Sequence, residues 1–424
     1  MNDQNIITFL KLRNFIFQIS NSNELLELTN NTMISLYCGF DLTADSLHIG
    51  HLLPLMVLKH FQMLGHKPIV LIGGATSLIG DPSFKSLERK LNTYNDISKW
   101  EKNISNQISL FLDFNIGFNS AKIVNNNSWF NKINILSFLR DIGKHFSVTQ
   151  MINKDSVKNR INRIGQGMSF TEFSYSLLQA YDFFILNQKY QVCLQIGGSD
   201  QWGNISSGIN LIRRINRNQV FGLTVPLLTQ SNGVKFGKTE QGPIWLDPKK
   251  TSPYTFYQFW VNIDDKNVYP FLKWFTFFDY SKLMKMENEG CHVENICKDK
   301  IILAKEITNI VHGEKGLKSA VRITSCLFSN CLSEMTELDF EQLKQDGIPS
   351  VNLLGTEDLQ TALIVSSLSY SKSQSRNMII SNAISINAKK ISDVKYCFSN
   401  HDKIFGKYTL LQRGKKKYSL LCWK

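Results

Sequence analysis

At 424 residues the chain is long for one hydrophobic core, so two or three domains are expected. Apolar content of 43% with 20% charged residues fits a soluble globular protein; 48 basic against 35 acidic residues leave +13, which points to a polyanionic partner. The eight cysteines contain no C-x-x-C pair, which argues against a zinc ribbon and leaves reduced thiols as the expected state. No run reaches the roughly 20 apolar residues of a membrane span. Asp3, Lys11, Arg13 and Glu24 interrupt any N-terminal signal core, so a cytoplasmic location is the default.

The first predicted element is an amphipathic helix over residues 6–17. Residues 34–40 (ISLYCGF) read as a buried strand, and a helix follows to about Leu64, with Pro54 confined to its first turn. Residues 68–74 (PIVLIGG) form a second strand of the continuous apolar kind found in parallel sheets. A helix near 97–111, a strand near 122–125, a helix near 136–141 and a helix over 173–183 come next. Residues 190–198 are the third clear strand, followed by a helix over 204–215. Repeated strand–glycine–helix units imply a doubly wound parallel sheet of Rossmann type, with ligands at the carboxyl ends of its strands. From Pro253 to about Leu332 the pattern is helical and aromatic-rich. Gly347, Pro349 and Gly355 suggest a linker, and the remainder is a small basic α+β module.

Two segments carry chemistry. His48-Ile-Gly-His51 lies between a strand and an apolar helix, and places two imidazoles three residues apart at a helix N-terminus, where backbone donors suit a polyphosphate. The loop ahead of it supplies Asp41, Thr43, Asp45 and Ser46. Lys235-Phe-Gly-Lys238-Thr puts two ammonium groups on a glycine-containing loop able to fold over the same phosphates. A lone H-x-x-H is more often structural, and zinc is the rival use, but the helical H-E-x-x-H arrangement is absent. Together the two segments read as ATP activation.

Five blocks in one order carry a resemblance: residues 37–51 (YCGFDLTADSLHIGH), 73–82 (GGATSLIGDP), 179–182 (QAYD), 195–204 (QIGGSDQWGN) and 235–239 (KFGKT). They are similar to the bacterial tyrosyl-tRNA synthetases, class I enzymes, from about Tyr37 to the C-terminus. The resemblance implies tyrosine–tRNA ligation: ATP activates tyrosine to tyrosyl-adenylate, then the terminal ribose of tRNA(Tyr) takes the tyrosyl group. It places the substrate phenol between Tyr37 and Asp182, the ammonium at Asp81, Tyr175 and Gln179, and the carboxylate near Gln201; Tyr181 stays as core. It assigns Thr43 and His48 to the terminal phosphates, Cys38 and Asp200 to the ribose, and Gly39, Asp41, Gly50 and His51 to the nucleotide. Gly50 has a physical role too, because a Cβ there would obstruct the adenine or sugar. Lys235 and Lys238, with Lys85 and Arg89, resemble mobile cations that clamp pyrophosphate; for the last two, plain surface charge is nearly as good a reading.

The resemblance further implies magnesium carried with the nucleotide, a homodimer, and a tail like the RNA-binding module of a ribosomal small-subunit protein. Arg213, Arg214, Lys415, Lys416 and Lys417 are the candidates for tRNA phosphate contacts. The expected division is a catalytic domain over 1–230 with a helical insertion at about 115–190, a lysine loop and helical domain over 231–335, a linker over 336–356, and the RNA-binding domain over 357–424. Two positions depart from the family. Leu42 stands where proline is usual, which predicts a less rigid nucleotide loop. Asn387-Ala388 stands where Asn-Gly is usual, in a turn that wants positive φ at both central residues. The rival functions are a non-catalytic RNA-binding relative, a nucleotidyltransferase acting on a small metabolite, and a tryptophan-specific synthetase.

Overall fold

The computed structural model describes residues 5–83, 91–115, 117–154, 157–158, 161, 167–228, 237–239, 242–290, 293–329, 331–354, 357–414 and 417–423, the side chains of 238, 239 and 293 excepted. They form two compact units: Met1–Leu246 with Lys266–His292, and Asp247–Asp265 with Val293–Lys424.

The first unit is built on a six-stranded sheet. Its strands are β1 (Gln18–Ile19), β2 (Ser35–Asp41), β3 (Lys67–Gly73), β4 (Lys122–Asn125), β5 (Val192–Gly198) and β6 (Phe221–Val225), in the order β1-β6-β5-β2-β3-β4. All neighbouring pairs are parallel except β1 with β6, so the sheet is doubly wound with one antiparallel edge. β3 shows why such strands read as continuous apolar runs: six of its seven residues are buried. Chain order reverses direction at β2, which lies between β5 and β3, and the crevice beyond the carboxyl ends of β2 and β5 is where this topology binds ligands.

The leading helix is shorter than its periodicity predicts. It spans Ile6–Leu12 and ends because Asn14 adopts φ 58°, freeing the chain to enter β1. Arg13 is fully buried, and its guanidinium donates to the carbonyls of Lys273 (3.1 Å) and Thr276 (2.7 Å) at the end of helix Val268–Phe275. Lys273 also pairs with Glu287 at 2.7 Å. These bonds tie residues 266–292 into the first unit, whereas the expected helical domain ran over 231–335.

Near the end of the first unit, β7 (Lys238–Thr239) and β8 (Gly242–Pro243) form a small hairpin. In the second unit, helix Pro253–Val261 packs along Val293–Ser329, a long helix broken at Gly313. A five-stranded sheet follows, made of β9 (Ser350–Leu353), β10 (Ile384–Ile386), β11 (Lys389–Lys390), β12 (Tyr408–Arg413) and β13 (Lys417–Trp423), in the order β11-β10-β12-β13-β9. Alternation along β12 and β13 fills two cores. Leu410, Leu420 and Cys422 meet Phe340 and Leu343, while Leu411, Leu421 and Trp423 meet Leu359, Leu363 and Ile379.

Residues 336–354, the described part of the expected linker 336–356, are therefore packed structure. Helix Glu337–Gln342 inserts Phe340, and β9 pairs parallel with β13. Asp339, fully buried, accepts both guanidinium bonds of Arg322 (2.7 and 2.8 Å). Burial alone would raise the Asp339 pKa, but Arg322, Ser319 and Thr336 outweigh it and hold it below the usual range.

Candidate active site

The carboxyl ends of β2 and β5 open into a cavity of about 310 Å³. Its lining includes Tyr37, Cys38, Gly39, Asp41, Thr43, His48, Gly50, His51, Asp81, Tyr175, Gln179, Asp182, Asp200 and Gln201, so residues from four of the five sequence blocks converge there. β2 contributes the run from Tyr37 to Asp41. Helix Phe170–Tyr190 contributes Tyr175, Gln179 and Asp182, whose spacing sets them on one face, and β5 leads to Asp200 and Gln201.

Asp182 is almost wholly buried and accepts from Trp129 Nε1 at 2.8 Å and Asn126 Nδ2 at 3.1 Å. Burial pushes its pKa well above the usual carboxylate range; the two donors and the charge of Asp41 act as smaller influences. Tyr37, 1% exposed, keeps its phenol protonated for the same reason. Among the described residues its hydroxyl has no hydrogen-bond partner, and neither do Gln179 Oε1 and Gln195 Oε1. Buried polar atoms are seldom left so, and here all three residues line one cavity.

The opposite wall is a carboxylate network. Tyr175 Oη donates to Asp41 Oδ2 at 2.6 Å, and Thr76 Oγ1 to Asp41 Oδ1 at 2.8 Å. Gln201 Nε2 donates to Asp81 Oδ2 at 2.7 Å, while the Ser83 amide and hydroxyl bond Asp81 Oδ1 at 3.0 and 2.7 Å. Two anchored carboxylates beside a polar cavity suit an ammonium group. Burial raises the Cys38 thiol to about 12, so at neutral pH it is a neutral wall and not a nucleophile.

The histidine turn is a short 3-10 segment, Ile49–His51, capped by His48. The Gly50 amide donates to His48 Nδ1 (3.0 Å) and the His48 amide to His51 Nδ1 (3.2 Å). With both Nδ1 atoms accepting, each neutral ring carries its proton on Nε2. Gly50 serves this cap before it serves a nucleotide: a Cβ there would lie 2.7 Å from His48 Cε1. The amide of Leu42 donates to Ser77 Oγ at 2.6 Å and its side chain is fully buried. Proline could not make that bond, so the departure at Leu42 anchors the loop and does not loosen it.

Backbone bonds join the second lysine segment to this turn. The Ile49 amide donates to the Ile244 carbonyl (3.0 Å), and the Ile244 amide to the Gly237 carbonyl (2.9 Å). Gly237 has φ 83°, and a Cβ on it would fall 2.3 Å from Ile49 Cδ1, so glycine alone fits beside the histidine turn. Lys235, Lys85, Arg89, Lys415 and Lys416 lie outside the described residues, as does the Lys238 side chain. Arg213 and Arg214 are exposed near the end of helix Trp202–Asn216, and Lys417 is exposed at the start of β13. Asn126, Trp129, Thr76 and Gln195 were not among the sequence candidates.

A family model for class I tRNA synthetases (W and Y) matches residues 29–329. A model of the tyrosine–tRNA ligase SYY-like C-terminal domain matches 339–421. The first spans both amino-acid specificities; full-length relatives decide between them. The tyrosine–tRNA ligase of Buchnera aphidicola subsp. Schizaphis graminum is 60% identical over 418 residues, covering 99% of either chain. That of Escherichia coli O139:H28 is 57% identical over 424 residues, covering the whole of both. The chain belongs to the tyrosine–tRNA ligases. Like them, it joins tyrosine to tRNA at the expense of ATP. A C-terminally truncated mitochondrial tyrosyl-tRNA synthetase from Aspergillus nidulans shares the fold at 31% identity and TM-score 0.69, covering 77% of this ligase and 94% of that chain. Tryptophan specificity and the metabolite nucleotidyltransferase are thereby set aside.

Proposed function

We propose that this cavity binds tyrosine against Tyr37 and Asp182 and aligns its carboxylate with the α-phosphate of ATP. The single observation that carries the reading is the backbone path Gly237–Ile244–Ile49, because it ties the lysine segment to the histidine turn at the cavity rim. The substrate phenol donates to Asp182, and Tyr37 Oη donates to the phenol oxygen. Phenylalanine would leave the Tyr37 hydroxyl unpaired and Asp182 short of one donor, which favours tyrosine. The ammonium lies among Asp81, Tyr175 and Gln179, and Gln201 lies near the carboxylate.

On the nucleotide side, Cys38 and Asp200 lie at the ribose, Gly39 and Asp41 beside it, and Thr43 and His48 at the terminal phosphates. The Nε2–H groups of His48 and His51 face developing negative charge, joined by Lys235, Lys238, Lys85 and Arg89. Magnesium enters with the ATP as part of the substrate. The attacking carboxylate is already an anion, so no protein nucleophile is required. In-line attack on the α-phosphorus forms the new C–O–P linkage as the bond to pyrophosphate breaks. Rate then depends on positioning and on charge stabilisation at the leaving diphosphate. The finished adenylate loses AMP when the tRNA ribose hydroxyl attacks its carbonyl.

Arg213, Arg214 and the Lys415–Lys417 run hold tRNA phosphates, with residues 357–424 as the RNA-binding domain. The working form is a cytoplasmic homodimer. Ile135 and Leu136, 65% and 72% exposed on one short helix, support an apolar partner surface. No helix among the described residues is long and apolar enough to cross a membrane.

The test is a pre-steady-state burst at saturating ATP and tyrosine. His48→Ala and Lys238→Ala are expected to slow adenylate formation on the order of 100-fold or more while tyrosine affinity stays within about twofold. An unchanged activation rate in both variants ends the phosphate assignment.

A further inference from the structure

The tail holds an aromatic ring almost wholly in solvent. Tyr370, 83% exposed, sits in the turn between helices Leu359–Val365 and Lys372–Ile380. The turn is not slack. The Tyr370 amide donates to Gln374 Oε1 (2.8 Å), the Ser369 amide to the Leu363 carbonyl (2.9 Å), and Ser369 Oγ to the Ser371 carbonyl (3.0 Å). Arg413 Nη1 donates to the Leu368 carbonyl at 2.8 Å. The backbone beneath the ring is thus pinned, and among the described residues the ring stacks on no other. A single exposed aromatic needs no explanation by itself.

Its neighbours supply one. Lys372 and Arg376 are both exposed and lie one helical turn apart, along the rim of the face that buries Ser375 and Ile379. Arg413, which holds the turn, pairs across the hairpin with exposed Lys417, next to Lys415 and Lys416 in sequence. Residues 366–380 contain no acid. Asp358, the N-cap of the preceding helix, offsets Lys372 in part. A rigidly mounted ring flanked by cations is how proteins hold unpaired nucleotides: bases stack on the ring while ammonium and guanidinium groups meet the adjoining phosphates.

We propose that Tyr370 is a stacking platform for an unpaired base of the tRNA, with Lys372, Arg376 and Lys417 on the neighbouring phosphates. This rests on the reading of residues 357–424 as the RNA-binding domain. Stacking is sequence-tolerant, so the platform adds affinity and register without choosing a base. An acidic peptide would use the same cations but gain little from the ring, so the RNA is favoured.

The experiment uses the full-length chain, with tRNA(Tyr) binding measured across a salt series beside tyrosine-dependent pyrophosphate exchange. Tyr370→Ala weakens tRNA binding by roughly tenfold, with an unchanged salt slope and unchanged exchange. Tyr370→Phe binds within about twofold of the unaltered chain, because the ring face and not the hydroxyl carries the contact. Lys372→Ala and Lys417→Ala each make the salt slope shallower by about one unit. Full affinity in Tyr370→Ala with losses in both lysine variants overturns the platform alone. Unchanged affinity and slope in all of them overturns the RNA-binding reading of the tail as well.

Discussion

Asp182 owes its orientation to two residues that no motif marks. The indole of Trp129 and the amide of Asn126 each hold one carboxylate oxygen, and each oxygen keeps a lone pair, which the proposed reading gives to the substrate phenol. Trp129→Phe keeps most of the ring volume but removes the donor, leaving one buried oxygen short of a bond. Tyrosine binding should weaken by about tenfold, the equivalent of roughly 1.4 kcal/mol, while the KM for ATP is unmoved. The pH profile adds a second reading. Burial already raises the Asp182 pKa, and Trp129 is one of the two donors that restrain it. Without the indole the carboxyl takes up a proton at higher pH, so tyrosine binding should begin to fail earlier as pH drops. Titration of tyrosine affinity between pH 9 and 5 checks both points; overlapping curves for the two proteins would mean the indole orients nothing. The motif-bearing residues of this cavity were legible through the family blocks in which they sit. Asn126 and Trp129 were not: a run of asparagines after a short strand resembles a surface loop, and only the long-range approach of helix Phe170–Tyr190 buries it.

At the level of elements, the hairpin of β10 and β11 isolates one backbone cost. Its central residues, Asn387 and Ala388, have φ 46° and 69°, the positive pair that a type I′ turn demands. Asn387 tolerates this and is further held by donating to the Asp402 carbonyl (2.7 Å) and accepting from the Leu410 amide (2.8 Å). Ala388 has no such compensation and carries a Cβ in the left-handed region. Ala388→Gly should stabilise the protein by about 1 kcal/mol, read as a rise in denaturation midpoint at constant denaturant slope. A lower midpoint would show that the turn is not strained. The same logic separates what the sequence disclosed from what it withheld. β2, β3 and β5 are buried on both faces, so their apolar runs announced them. β1 has two residues and is defined by pairing with β6, while β6 has a glycine in five and is defined by its parallel pairing with β5. The segment 336–356 looked like a linker because Gly347 and Pro349 punctuate it. Its structure comes from partners distant in sequence, Arg322 for Asp339 and β13 for β9.

Across the whole molecule, the two reaction steps present different charges to the same +13 chain. In the proposed arrangement tyrosine and ATP, both small, meet their groups inside a cavity, where added salt screens little. In that arrangement a tRNA lies along exposed cations. Arg213, Arg214 and Lys417 are all at the surface, and each phosphate they neutralise releases a bound counterion. Five such contacts, counting Lys415 and Lys416 but not Lys372 and Arg376, would contribute about −4 to the slope of log affinity against log salt. Raising salt from 50 to 200 mM should then cut tRNA affinity by roughly 100-fold or more, while tyrosine-dependent pyrophosphate exchange changes by no more than about twofold. Arg213→Ala and Arg214→Ala should each reduce the slope by about one unit without altering exchange at low salt. Arg214 also donates to the His145 carbonyl, so its melting temperature must be followed to separate a lost phosphate from a loosened helix end. Parallel decline of exchange and aminoacylation along the salt series would place the electrostatic demand in the activation step, and the surface arginines would then have no part in holding RNA.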